Sequence, residues 1–176
     1  MTKNCIALIG FMATGKTSVG KYLAEYLGDK YKFIETDQII IEMAGKSIPR
    51  IFSEDGEKKF REYEIEACKK VSSFDNAIIS CGGGVVLNKI NIKNLKKNCY
   101  IVLLEATIEE IYRRAIKDGK ETRPVIDKED PKKEIEEVLN YRKYFYEAAA
   151  EISIETTGKD IEMIVSEIVS KTQLKT

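Results

Sequence analysis

"GFMATGKTSVGKYLA" (residues 10–24) places Gly10, Gly15, Lys16 and Thr17 in one short turn. Gly10, Gly15, Lys16 and Thr17 stand at the spacing GxxxxGK(S/T), a loop whose backbone N–H groups cradle phosphate. Before it runs "NCIALI" (4–9), a short apolar stretch; after it Val19, Leu23, Tyr26 and Leu27 recur at helical spacing. The order is strand, glycine-rich turn, helix, which is the context this motif requires. Successive amides and a helix N-terminus point at one place, and Cβ atoms would crowd an approaching anion. Gly10, Ala13, Thr14, Gly15, Lys16, Thr17 and Ser18 therefore form the expected phosphate site. Lys16 is placed to reach the β and γ phosphates of a nucleotide, and Thr17 offers its hydroxyl to Mg²⁺. The motif is silent about what receives the phosphate.

Further along, "YKFIE" leads into "TDQIIIEMAG", where Thr36 or Asp37 can cap a helix that stops at Gly45. Ser47 opens another segment, and beyond Gly56 a helix carries Phe60, Tyr63, Ala67 and Val71 on one side. A third strand, "NAIIS", runs through Cys81 into Gly82, Gly83 and Gly84; a fourth, "CYIVLL", precedes a helix starting at Thr107. "KDGKETRPVIDKEDP" is charged and broken by Gly119, Pro124 and Pro131, which predicts an exposed loop. A long helix to about Ala150, a short strand "EISIET" and a C-terminal helix complete the chain. Strands too apolar to have a wet face, alternating with helices, predict a parallel sheet covered on both sides. Ligands in such folds bind beyond the carboxyl ends of the strands, where Gly10–Thr17, Glu35–Asp37 and Gly82–Gly84 converge.

Bulk properties narrow the partner. At 176 residues the chain predicts a single domain, and 43% hydrophobic against 33% charged residues with a formal net charge of +0 gives no electrostatic argument for nucleic acid or a membrane surface. A small molecule is the expected partner. The four cysteines have no CxxC spacing, and three lie in apolar runs, as buried free thiols do in a reducing cytoplasm. Histidine is absent, so any chemistry runs without imidazole.

Three arginines bear on the acceptor. Ile135, Val138, Leu139, Tyr146 and Ala149 form one apolar stripe on the long helix, and Arg142 sits in it. A guanidinium there needs an anion, either a protein carboxylate or a ligand. Arg61 lies on the helix after Gly56 with Glu64 three residues on, able to brace it. Arg123, before Pro124, stands where a loop could bring it over the phosphates, though loop arginines are usually only solvated. The triple glycine invites close approach of backbone, as a second phosphate nest or a bare surface against the acceptor, or else is a flexible turn. Glu35 and Asp37 are candidates for a water-mediated Mg²⁺ contact and a substrate hydroxyl, respectively, with helix capping as the alternative role of Asp37.

Taken together, "GFMATGKTSVGKYLA", "ETDQIIIEMAGKSIPRIFSEDGEKKFREYE", "SCGGGVVL", "RPVI" and "LNYRKYFYEAAAEISIET" resemble shikimate kinase, in order and in spacing, from near the N-terminus to about residue 157. The resemblance implies an α/β fold of the three-layer P-loop kinase type, with a five-stranded parallel sheet flanked by helices, a substrate-binding segment at about 36–65 and a lid at about 114–126. It implies transfer of the γ-phosphate of MgATP to the 3-hydroxyl of shikimate by a cytoplasmic monomer. Asp37 then hydrogen-bonds the ring hydroxyls, Arg61 and Arg142 grip the carboxylate, and Gly82–Gly84 lie along the acceptor. Lys16 and Arg123 neutralise charge at the transferred group, and Arg114 resembles the arginine that packs on adenine.

The sequence departs from the family pattern in three places. Glu35 replaces the first aspartate of the usual Asp-x-Asp pair, Ala13 and Thr14 stand where a glycine and a small residue are commoner, and the proline often found after the arginine of "YRKYFYEAA" is missing. Rival readings are another small-metabolite or nucleotide kinase, such as a gluconate or nucleoside-monophosphate kinase, and a non-catalytic ATP-binding regulator.

Overall fold

The structure is a computed structural model that describes residues 3–117, 130–172 and 174. Strands β1 (Cys5–Ile9), β2 (Lys32–Glu35), β3 (Ala77–Ser80), β4 (Cys99–Glu105) and β5 (Ile152–Glu155) form one sheet in the order β2-β3-β1-β4-β5. Every neighbouring pair is parallel. The helices are α1 (Lys16–Leu27), α2 (Thr36–Ala44), α3 (Ile48–Glu54), α4 (Gly56–Val71), α5 (Lys89–Leu95), α6 (Ile108–Lys117), α7 (Pro131–Ala149) and α8 (Ile161–Thr172).

The unbroken apolar run of β1 follows from burial on both faces, since side chains alternate along a strand. Cys5, Ala7 and Ile9 enter the core shared with α2 to α7, whereas Ile6 and Leu8 enter the core under α1 and α8. In β4, Cys99, Ile101 and Leu103 divide from Val102 and Leu104 in the same way. All four cysteines are free and buried. Among the described residues no helix is long and apolar enough to cross a membrane.

Register builds the rim. Ser80 is paired with Leu8 on one side and Glu35 on the other, so the segments that leave β1, β2 and β3 emerge side by side, about 4.8 Å apart per strand. The chain turns toward β2 from one side of β1 and toward β4 on the other, which opens a crevice above β1.

Two expectations need correction, and one segment without an assignment has structure. Neither Thr36 nor Asp37 caps α2: Glu35 is the N-cap residue and makes no side-chain cap bond, while the Thr36 hydroxyl accepts from Gly82 N (3.1 Å) and donates to the Ser80 carbonyl (3.5 Å). The segment between the triple glycine and β4 has structure of its own, a 3₁₀ turn at Val85–Leu87 and then α5. Helix α6 starts at Ile108, with Thr107 Oγ1 accepting from Glu110 N at 3.3 Å, so Thr107 is its cap rather than its first residue. Of the expected lid at about 114–126, residues 118–126, including Arg123, lie outside the described residues.

Candidate active site

The phosphate loop is held by its own side chains. Gly10 has φ 141°, and a Cβ there would lie 2.4 Å from the Leu104 carbonyl, so only glycine lets the chain turn against the end of β4. Gly15, at φ 99°, is the N-cap of α1. Ala13 occupies the left-handed region at φ 57°, a conformation that costs an L-residue roughly 1–2 kcal/mol and explains why glycine is the easier choice there. Thr14 is buried, and its hydroxyl donates to Phe11 O at 2.9 Å. Lys16 Nζ donates to the Gly10 (2.9 Å) and Phe11 (2.7 Å) carbonyls, which holds the ammonium against the loop. Ser18 is exposed on the first turn of α1.

Thr17 Oγ1 donates to Glu35 Oε1 at 2.8 Å, joining the two residues singled out for the metal. Two hard oxygens on one wall suit Mg²⁺, which keeps most of its ligands as water and phosphate oxygen. Among the described residues no group of three or more His, Cys, Asp or Glu could hold a metal ion.

On the far side, Arg114 is clamped by its edges: Nε to Glu110 (2.7 Å), Nη1 to Thr156 Oγ1 (3.0 Å) and to Ala13 O (3.3 Å), and Nη2 to Thr156 O (3.0 Å). Hydrogen bonds from Arg113 and Arg114 hold the Glu110 carboxyl down at about 2, so the clamp stays charged. These bonds lie in the guanidinium plane and leave its faces for stacking.

The triple glycine acquires its reason from three side chains. A Cβ at Gly82 would lie 2.9 Å from Asp37 Oδ1, one at Gly84 would lie 2.7 Å from Arg61 Nη1, and one at Gly83 would sit 3.6 Å from Arg142 Nη1. None of the three has positive φ, so at Gly82 and Gly84 the requirement is room for polar side chains and not backbone freedom, whereas a Cβ at Gly83 would make only ordinary contact. Asp37, Glu35, the phosphate loop, Gly82–Gly84, Arg114 and Arg142 all line one cleft of about 1000 Å³. Burial pushes the Asp37 carboxyl above its ordinary range, with Lys16 opposing and Glu35 reinforcing the shift.

Arg142 remains on the buried stripe, and the choice left open by the sequence goes against a protein carboxylate. Its Nε is buried without a hydrogen-bond partner among the described residues, and no ion pair satisfies it there. Beside it Tyr146 donates its hydroxyl to Gly83 O at 2.6 Å, and burial pushes that phenol up to about 12, so it stays a donor. Arg61 is placed differently: it flanks Gly84, with Nε and Nη2 on Glu57 Oε1 (3.3 and 3.1 Å) and Nη1 on both oxygens of Glu64 (3.2 and 3.1 Å). Glu64 braces Arg61, and the exposed Glu57 occupies its other edge.

A protein-family model described as shikimate kinase matches residues 12–173. The chain is 44% identical over 164 residues to the shikimate kinase of Caldanaerobacter subterraneus subsp. tengcongensis, covering 93% of each. This chain belongs to the shikimate kinase family. Among solved structures, a shikimate kinase from Acinetobacter baumannii in complex with shikimate superposes with a TM-score of 0.88 at 30% identity, covering 98% of this chain and 94% of that one. A gluconokinase from Sinorhizobium meliloti shares the fold at a TM-score of 0.65 but only 16% identity, so the two shikimate kinases carry the family assignment.

Within the shikimate kinase frame, several residues escaped sequence reading. Tyr146 reads as one more core aromatic, Thr156 as a strand end, and Asn91 lies in a segment with no motif at all. Their roles depend on partners far along the chain, Gly83, Arg114 and Glu64. One consequence is testable at Gly84. Gly84→Ala must push the Arg61 guanidinium aside, which is expected to raise the acceptor KM about tenfold while the ATP KM and Tm hold. Steady-state kinetics with each substrate varied in turn checks this.

Proposed function

We propose that this protein is an ATP-dependent phosphotransferase that moves the γ-phosphate of MgATP to the 3-hydroxyl of shikimate, yielding shikimate 3-phosphate and ADP for aromatic amino-acid biosynthesis. The observation that carries the reading is Arg142: a half-buried arginine whose buried Nε has no hydrogen-bond partner among the described residues, opening on the same cleft as a phosphate loop, calls for an anionic acceptor. A carboxylate meets that need, and family membership supplies the rest of the acceptor's identity.

The residues divide the work. The amides of the loop from Gly10 to Ser18 hold the nucleotide phosphates, and Arg114 offers a flat face to the base. Lys16 neutralises charge on the transferred group; Arg123 is assigned the same task. A bound Mg²⁺ would supply positive charge that offsets the repulsion an attacking oxygen meets. Thr17 would hold it directly and Glu35 through water, the longer side chain spanning the added distance to a hydrated ion. Arg61 and Arg142 take the acceptor carboxylate, and Asp37 accepts from its ring hydroxyls against the backbone of Gly82–Gly84. Acceleration then comes from position and electrostatics, since a loose transition state asks little of a base. Segments 36–65 and 114–126 act as acceptor-binding and lid regions of a single cytoplasmic, monomeric domain.

ADP release from MgATP, measured with shikimate, quinate, gluconate and nucleoside monophosphates offered separately, tests the reading. Selective turnover with shikimate supports it; turnover with another acceptor replaces the substrate, and nucleotide binding without turnover on any acceptor removes the activity.

Asp37 gives a second expected result, on stability. Its folded pKa is raised, so the native state holds the proton more tightly than the unfolded chain does. Stability therefore falls as pH rises from about 3.9, the unfolded value, through the raised folded value, and the penalty is fully present at neutral pH. Asp37→Asn is expected to raise Tm at pH 7 while abolishing most turnover, and the Tm gain should shrink as the pH is lowered toward about 4. Paired thermal melts and ADP assays across that range decide it.

A further inference from the structure

Helix α5 takes no part in the reaction described above, yet it sends one polar side chain into the core. Asn91 is 0% exposed. Its Nδ2 donates to Glu64 Oε2 (3.1 Å) and to Val85 O (3.1 Å), and its Oδ1 is buried without a partner among the described residues. For core packing alone this is a costly choice, because a leucine of the same branching leaves no unsatisfied oxygen.

What the amide holds is Glu64, itself only 2% exposed, which receives Arg61 Nη1 on both oxygens. A carboxylate this deeply buried keeps its charge only while it is well hydrogen-bonded. Protonated, it would carry a hydrogen on one oxygen and lose half of its hold on the guanidinium. Arg61 is also the group that crowds Gly84, so its aim decides what the acceptor side of the cleft presents.

We propose that Asn91 is a positioning residue for the acceptor carboxylate, acting through Glu64 on the fork of Arg61. The inference rests on the shikimate kinase reading above, in which Arg61 meets that carboxylate. The titratable groups facing Glu64 are Arg61 and Cys68 from α4 itself, Asp37 from α2 and Cys81 after β3. Burial keeps both thiols neutral and raises the Glu64 carboxyl above its ordinary range; of the charges that act on it, Arg61 opposes that shift and Asp37 adds to it. Asn91 is the one neutral side-chain donor among the described residues that also opposes that shift.

Asn91→Leu is the test, in the full-length protein. Loss of one hydrogen bond to a charged group is expected to raise the shikimate KM about tenfold, with kcat and the ATP KM within about twofold of wild type. Glu64, short of a donor, takes up its proton more readily, so the acid limb of kcat/KM for shikimate moves to higher pH. In an Arg61→Ala background the same substitution is expected to change neither quantity further, which a merely structural effect would not reproduce. Should the leucine variant not fold, Asn91→Ala, which removes the same donor with less intrusion, is read against the same four quantities. An unchanged shikimate KM and pH limb, or an equal effect in the Arg61→Ala background, overturns the role of Asn91. A wild-type protein inactive on shikimate overturns the acceptor reading itself, and this inference with it.

Discussion

Lys16→Met is expected to lower kcat about 10²–10³-fold, the usual effect of removing one preorganised cationic or hydrogen-bond donor from developing charge. Methionine keeps the length and packing of the lysine stem and removes only the ammonium. Two hydrogen bonds to the Gly10 and Phe11 carbonyls go with it, but the site is partly open, so little change in Tm is expected. A second signature separates electrostatics from a general disturbance of the loop. Lys16 opposes the rise in the Asp37 carboxyl, so its loss moves the acid limb of activity further up in pH. Pre-steady-state turnover and a pH profile read both effects. Turnover within tenfold of wild type would remove Lys16 from the chemical step.

Arg142→Ala is expected to cost kcat/KM for shikimate about 10²–10³-fold, the sum of two charge-assisted hydrogen bonds in a water-poor cleft. Because the Nε has no partner among the described residues, truncation leaves no counter-charge stranded, and the fold should tolerate it. The informative comparison uses an acceptor whose carboxylate is replaced by a hydroxymethyl group. On that acceptor wild type and variant should be equally slow, because the interaction is already absent. An equal loss on both acceptors would instead assign Arg142 to holding Tyr146 and the Gly83 carbonyl beside it.

The phosphate loop was legible because its requirements are local. Gly10, Gly15, Lys16 and Thr17 stand within a few residues of one another and serve one phosphate, so their spacing is written in the chain. The parallel sheet was legible for a related reason: a strand buried on both faces must be apolar at every position, as "CIALI" is. Capping was less secure. Thr36 has the side chain of a helix cap, and a donor and an acceptor in the neighbouring strand and loop, Gly82 N and Ser80 O, take its hydroxyl instead.

By itself the sequence determined the order of strands and helices, the nucleotide loop, and the presence of an arginine on a buried stripe that had to meet an anion. Tertiary structure alone decided which anion was available. Among the described residues it pairs no carboxylate with Arg142 while supplying Glu57 and Glu64 to Arg61. It also showed that Gly82 and Gly84 make room for Asp37 and Arg61, and that Asn91 stands behind Glu64. The physical reason is range: a turn or an amphipathic stripe is set by neighbours in the chain, whereas a hydrogen bond between residues 27 or 63 positions apart exists only after the sheet has brought them together.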